Sequence, residues 1–224
     1  MVDDYLSDRE QEEALRNWWR ENWAWIVGGV VLGLALLAGW RYWNAYQEQQ
    51  AANAATMYEH VRTALEKNDI AEAGKSLESL AAKFGKSAYA QQGRLLIAKA
   101  EVDAGKYDEA LVLLRAVAES SKDKELGDIA QLRIARVLLQ QGKHDEALAQ
   151  LKPDSLGVFS APAREIRGDA LVAKGDAEGA RAEYAAALTG DNAAIDRNLV
   201  ELKLQDVGGT PSGSKEALTS VTQP

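Results

Sequence analysis

Eighteen consecutive residues without a charge, Trp23 to Trp40, lie near the start of a 224-residue chain. As a helix rising 1.5 Å per residue such a run covers about 27 Å, close to the hydrocarbon thickness of a bilayer. All six tryptophans fall within the first 43 residues. Trp18, Trp19, Trp23 and Trp25 gather at one end of the run, and Trp40, Tyr42 and Trp43 at the other. Amphipathic rings prefer the two headgroup layers, so paired aromatic belts one bilayer apart indicate a membrane span. A buried core helix has no physical reason to collect its tryptophans at its ends. A removable export signal needs a short basic approach and a small-residue cleavage pair. Residues 1–21 instead carry seven acids against Arg9, Arg16 and Arg20, a net charge of −4, and "LALLAGWR" puts Leu36 or Leu37 where a small residue is required. The run is therefore expected to be an uncleaved anchor over residues 22–43, preceded by an acidic tail, 1–21.

Lys and Arg near the ends of a span set its orientation. Three arginines precede this one and only Arg41 follows within twenty residues. That count predicts a short N-terminus in the cytoplasm and the large C-terminal part outside. Gly29 and Gly33 form a GxxxG in the span. Two readings stand: a face for close packing of another membrane helix, or the ordinary frequency of glycine in such helices.

The remainder is globular in character. Hydrophobic residues make up 46% and charged residues 27%, and the two phenylalanines against many alanines favour close-packed helices over sheets. A net charge of −8 with no concentrated basic face argues against nucleic-acid binding. The absence of cysteine excludes disulfides, thiolate metal sites and cysteine nucleophiles.

Beyond Tyr46 one turn recurs: "KNDIAEAG" (67–74), "AGKYDEAL" (104–111), "QGKHDEAL" (141–148) and "KGDAEGAR" (174–181). Its pivots Asn68, Gly105, Gly142 and Gly175 are 37, 37 and 33 residues apart, a helix-turn-helix solenoid period. Gly or Asn at the pivot suits a left-handed helix end. Five residues on stand Ala73, Ala110, Ala147 and Ala180, where a methyl group permits close helix approach. Apolar residues follow at helical spacing, for example Leu77, Leu80 and Phe84, or Leu114 and Val117. Helix pairs are expected at about 54–84, 91–120, 128–152 and 161–188. A capping helix over 191–207 should bury Ile195, Leu199 and Leu202. The segment "PDSLGVFSAP", bounded by Pro153 and Pro162, reads as a longer loop with Phe159 turned inward. Residues 208–224, rich in Gly, Ser, Thr and Pro, read as a disordered tail.

The histidines, His60 and His144, lack companions for a metal site, and His144 takes the repeat position of Tyr107. GxSxG, P-loop, GxGxxG and HExxH motifs are all missing. Acid pairs such as Asp108/Glu109 and Asp145/Glu146 open the second helices, where they favour the helix dipole. No catalytic residue, metal or cofactor is called for; an envelope hydrolase is the weakest of the functional readings.

The repeats resemble the tetratricopeptide repeat, with its small residue at position 8 on Ala98, Ala135 and Gly168 and its alanine at position 20 on Ala110, Ala147 and Ala180. They depart from it in lacking Trp at position 4 and Tyr at position 11. The fold class expected is all-α: one N-terminal transmembrane helix, then a tetratricopeptide-like solenoid of about four helix pairs over 44–207 with a C-terminal cap. The whole layout, with "GWRYW" ending the anchor, "LRIARVLLQQGK" (132–143) and "REIRGDALVAKGDAEGARAEY" (164–184), resembles the YfgM family of Gram-negative bacteria. That resemblance implies an inner-membrane protein with a periplasmic repeat domain. It implies an ancillary, non-enzymatic subunit of the SecYEG translocon paired with a membrane-anchored periplasmic chaperone of the parvulin type. Unfolded translocating polypeptides are a further expected partner of its repeat groove. A regulatory scaffold for another envelope complex is the alternative.

Solenoids present a groove lined by first helices. Counting by repeat position, the groove candidates are Gln92, Leu95, Lys99, Val102 and Asp103, then Ile129, Leu132, Arg136, Leu139 and Gln140, and last Glu165, Asp169 and Val172.

Overall fold

A computed structural model describes residues 3–189 and 194–210, with side chains from Glu10 onward. The described residues form helices α1 (Asp3–Glu66), α2 (Ile70–Phe84), α3 (Ala88–Asp103), α4 (Tyr107–Ser120), α5 (Lys124–Gln140), α6 (His144–Gln150), α7 (Ser160–Ala173), α8 (Ala177–Ala187) and α9 (Arg197–Asp206). The chain divides into two compact units, Met1–Asn53 and Ala54–Pro224.

The first unit is helical throughout its described part. Within α1 an 18-residue window reaches a mean hydropathy of 1.9 with none of it buried, so this helix is long and apolar enough to cross a membrane. Trp18, Trp19, Trp23 and Trp25 at one end, and Trp40, Tyr42 and Trp43 at the other, all project outward. Within this unit the described part of the acidic tail is one helix with the anchor.

The second unit is a stack of helix pairs. The last turns of α1 pair with α2, α3 with α4, α5 with α6, and α7 with α8. All four pivots take the left-handed backbone: φ is 57° at Asn68, 77° at Gly105, 72° at Gly142 and 81° at Gly175. Each forms a Schellman turn. The amide of Gly105 donates to Val102 O (2.9 Å) and that of Lys106 to Glu101 O (2.8 Å). Gly142/Lys143, Gly175/Asp176 and Asn68/Asp69 repeat the pattern. These bonds satisfy carbonyls that a helix end leaves orphaned. Asp69 and Asp176 then cap the following helices, accepting from Glu72 N and Gly179 N, both at 2.9 Å.

Past each turn the expected alanines are the point of closest approach: Ala73, Ala110, Ala147 and Ala180 are all buried. Around them lie three apolar clusters. One joins Val61 of α1 with Ala73 and Leu80 of α2 and Ile97 of α3. The largest runs from Leu95 and Leu114 through Ile134 to Ile166. The third holds Tyr184, Val200 and Leu204. A fully buried Leu such as Leu80 or Leu114 contributes about 2 kcal/mol by transfer alone.

Gly168 stands where its sister repeats carry Ala98 and Ala135, because the Tyr184 ring presses on α7 there. A Cβ at Gly168 would meet Tyr184 Cε1 at 2.3 Å. The phenol in turn donates to Asp169 Oδ1 at 2.8 Å.

Two expectations need correction. In α9 the buried stripe is Val200 and Leu204, with Ile195 half-buried, whereas Leu199 (45% exposed) and Leu202 (58%) face outward. Both stripes have helical spacing. The stripe that wins goes with the side on which Lys203 reaches α7, donating to Glu165 Oε1 (2.7 Å) and Asp169 Oδ2 (2.9 Å). The helix starts at Arg197, capped by Asp196; the expected start, Asp191 to Ala193, lies outside the described residues. The segment after Pro153 is not simply a loop. It makes two 3-10 turns, Pro153–Ser155 and Gly157–Phe159, and α7 begins at Ser160, placing Pro162 in its first turn. Proline is tolerated there because its missing N–H would be unpaired anyway. Phe159 packs on the central cluster, as expected. The disordered tail expected over 208–224 falls outside the described residues from 211 onward.

The turn geometry makes a graded prediction. Gly105→Val should destabilise the repeat unit by about 2 kcal/mol, since a branched residue is forced left-handed, while Gly105→Asn should cost clearly less, because Asn68 already holds that conformation. Chemical denaturation of both variants checks the order, and equal costs would contradict it. Gly168→Ala should cost about 2 kcal/mol by overpacking against Tyr184. Combining it with Tyr184→Leu should cost less than the two single changes added, which a thermal melt of the three variants measures.

Candidate functional site

Successive first helices α3 and α5 lie side by side, and a cleft of about 300 Å³ opens between them. The small side chain of Ala98 leaves the space, and Leu114 of α4 and Val137 of α5 complete an apolar floor. Lys99 and Val102 of α3 and Arg133 and Arg136 of α5 form its edge.

The thirteen groove candidates separate into four groups. Lys99, Val102 and Arg136 line the cleft, and Asp103 joins them by pairing with Lys99 at 2.7 Å. Leu95 (7% exposed) and Leu132 (6%) belong to the central core, with Leu139 packed beside them. The reason is periodicity: Leu95 and Leu132 precede the small position 8 residue by three and Leu139 follows it by four, spacings that turn them inward with that residue. Gln92, Gln140 and Val172 are exposed and Ile129 is half-buried, none of them lining this cleft. Glu165 and Asp169 are engaged by Lys203 of the cap, so the equivalent face of the last pair is covered from within the chain.

Counting by repeat position missed Arg133, Leu114 and Val137. The signal for Arg133 was present: it lies three residues before Arg136, on the same side of the helix. Its guanidinium donates to Leu95 O across the cleft at 3.5 Å. Burial is the main influence depressing its pKa, and the charge of Arg136 adds to it.

Electrostatics elsewhere in the unit are structural. Burial disfavours the Lys203 ammonium, but its bonds to Glu165 and Asp169 and their charges outweigh this, and its pKa rises. Tyr184 is likewise raised, first by burial and then by its bond to Asp169. Arg167 donates to Glu183 (2.7 Å) and to the carbonyls of Leu148 and Leu151, and Arg164 ties Glu183 to Asp154 (2.9 Å). Together they fix the 151–160 segment to α7 and α8. The acids that open the second helices also bridge pairs: Gln141 donates to Asp108 at 2.9 Å and Lys174 pairs with Asp145.

Among the described residues no cluster of three or more His, Asp or Glu is placed to hold a metal. His144 opens α6 as Tyr107 opens α4, with a buried Nδ1 that has no hydrogen-bond partner. In the anchor, a Cβ at Gly29 or Gly33 would meet nothing within 4 Å.

The family model described as "Tetratricopeptide repeat-like domain" matches residues 16–209. A protein of Escherichia coli (strain K12) named "Ancillary SecYEG translocon subunit" is 30% identical over 203 residues, covering 91% of this chain and 98% of its own. Proteins of the same name from Haemophilus influenzae (29% identical, 91% and 99% covered) and Neisseria gonorrhoeae (28%, 91% and 98%) are similar along the same extent. The chain therefore belongs to the YfgM family of tetratricopeptide repeat-like proteins.

Proposed function

We propose that this protein is a non-enzymatic, single-pass inner-membrane subunit that accompanies the SecYEG translocon and binds polypeptides through its repeat domain. The observation that carries this reading is end-to-end similarity to relatives named as ancillary translocon subunits, spanning anchor and repeats alike. The three-to-one arginine count around the anchor supports an N-terminus in the cytoplasm and repeats in the periplasm. In that arrangement the Gly29/Gly33 face packs against a translocon or partner helix. The cleft between α3 and α5 offers Val102 over an apolar floor, flanked by long cations, which suits a peptide or helix rather than a small metabolite. The partners are the translocon, a membrane-anchored parvulin-type chaperone, and segments of emerging chains. Through them the protein assists the handling and folding of translocated proteins.

A C-terminal alkaline phosphatase fusion should be active and the matching cytoplasm-dependent reporter silent; the reverse pattern defeats the periplasmic placement. Lys99→Glu combined with Arg136→Glu should reduce co-purification with the translocon–chaperone complex several-fold, with helical circular dichroism unchanged. Full recovery of the complex with both charges reversed would remove the cleft from the function.

A further inference from the structure

At equivalent positions of the four helix pairs, one charge stands without a partner among the described residues. Six residues before the pivots stand Arg62, Lys99, Arg136 and Asp169, and two before them Glu66, Asp103, Gln140 and Ala173. The two sites are four apart on a helix, the spacing at which opposite charges meet. In the first pair Arg62 lies 3.8 Å from Glu66, and in the second Lys99 lies 2.7 Å from Asp103. The fourth pair inverts the sign, and Asp169 is neutralised by Lys203 of α9. The third pair leaves its charge unpaired: Gln140 replaces the acid, and Arg136 makes no ion pair among the described residues.

This uncompensated cation sits at the edge of the apolar cleft, one helical turn from Arg133, which also has no carboxylate partner among the described residues. Two guanidiniums held together against an apolar floor repel each other, a cost that an incoming anion relieves. The protein as a whole is acidic, with a net charge of −8, so this local excess of positive charge runs against its composition. The floor, Ala98, Leu114 and Val137, takes a side chain and not a small anion alone. The capped fourth pair limits the site to the second and third pairs.

The structure assigns to this cleft a partner polypeptide segment of one chemistry, in which a carboxylate pairs with Arg136 and an adjacent apolar side chain seats beside Val102 on the floor. The assignment rests on the reading that the cleft binds polypeptides, and it adds sign selectivity and the residue that confers it. Arg136 is the selecting group; Lys99, already paired with Asp103, contributes little.

The test uses the full-length protein in zwitterionic detergent and three fluorescein-labelled dodecapeptides, repeats of Leu-Asp-Ala, Leu-Asn-Ala and Leu-Lys-Ala, followed by anisotropy. The Asp peptide should bind about tenfold more tightly than the Lys peptide, and the difference should shrink in high salt. Arg136→Gln should weaken the Asp peptide about fivefold and leave the Asn peptide within about twofold, whereas Lys99→Gln should change neither appreciably. Val102→Ala should weaken all three alike. Equal binding of the three peptides, no binding of any, or equal losses from Lys99→Gln and Arg136→Gln would overturn the assignment. If the peptides bind alike while the double charge reversal still disrupts the translocon–chaperone complex, only the acidic selectivity fails and the polypeptide-binding reading stands.

Discussion

Each helix pair of the repeat unit depends on one residue held at positive φ between its helices. Asn68, Gly105, Gly142 and Gly175 end their helices in Schellman turns, and the bonds of those turns fix where the next helix departs. Because the turn is the same four times, everything downstream falls at a fixed offset. The buried alanine five residues later marks where each second helix meets the first. The apolar stripes then register without further instruction, and three apolar clusters form along a stack of pairs that would not be stable singly.

A shared offset also makes the departures readable as physics. At the position that admits alanine in two pairs, the fourth carries Gly168, because the Tyr184 ring occupies the space a methyl would need. That ring, buried and bonded to Asp169, and Lys203 from α9 together close the end of the stack. The same closure withdraws Glu165 and Asp169 from any partner. The cleft of the first-helix face lies between α3 and α5, where alanine at position 8 leaves space and the loss of one acid leaves Arg136 uncompensated.

Ion pairs at the surface of such a stack are worth little singly, generally under about 1 kcal/mol. Their arrangement matters more than their energy. Gln141 to Asp108 and Lys174 to Asp145 link the third and fourth turns to the second helix of the preceding pair, so acids that favour helix dipoles also bridge neighbouring pairs.

The sequence alone determined the anchor candidate, the four helix pairs, the pivots and the close-approach alanines, since each depends on local rules: hydropathy over one segment, a left-handed residue, a period of about one repeat. Which of two equally periodic stripes turns inward was settled only in three dimensions. Leu199 and Leu202 alternate with Val200 and Leu204 on one short helix, and packing against α7 and α8 selected the second pair. Likewise Leu95 and Leu132 looked like groove residues by position but are core, while Arg133, Leu114 and Val137 reach the cleft from places that no single-helix count brings together. A cleft is bounded by residues from three helices, and their convergence is a property of the packing rather than of any one segment.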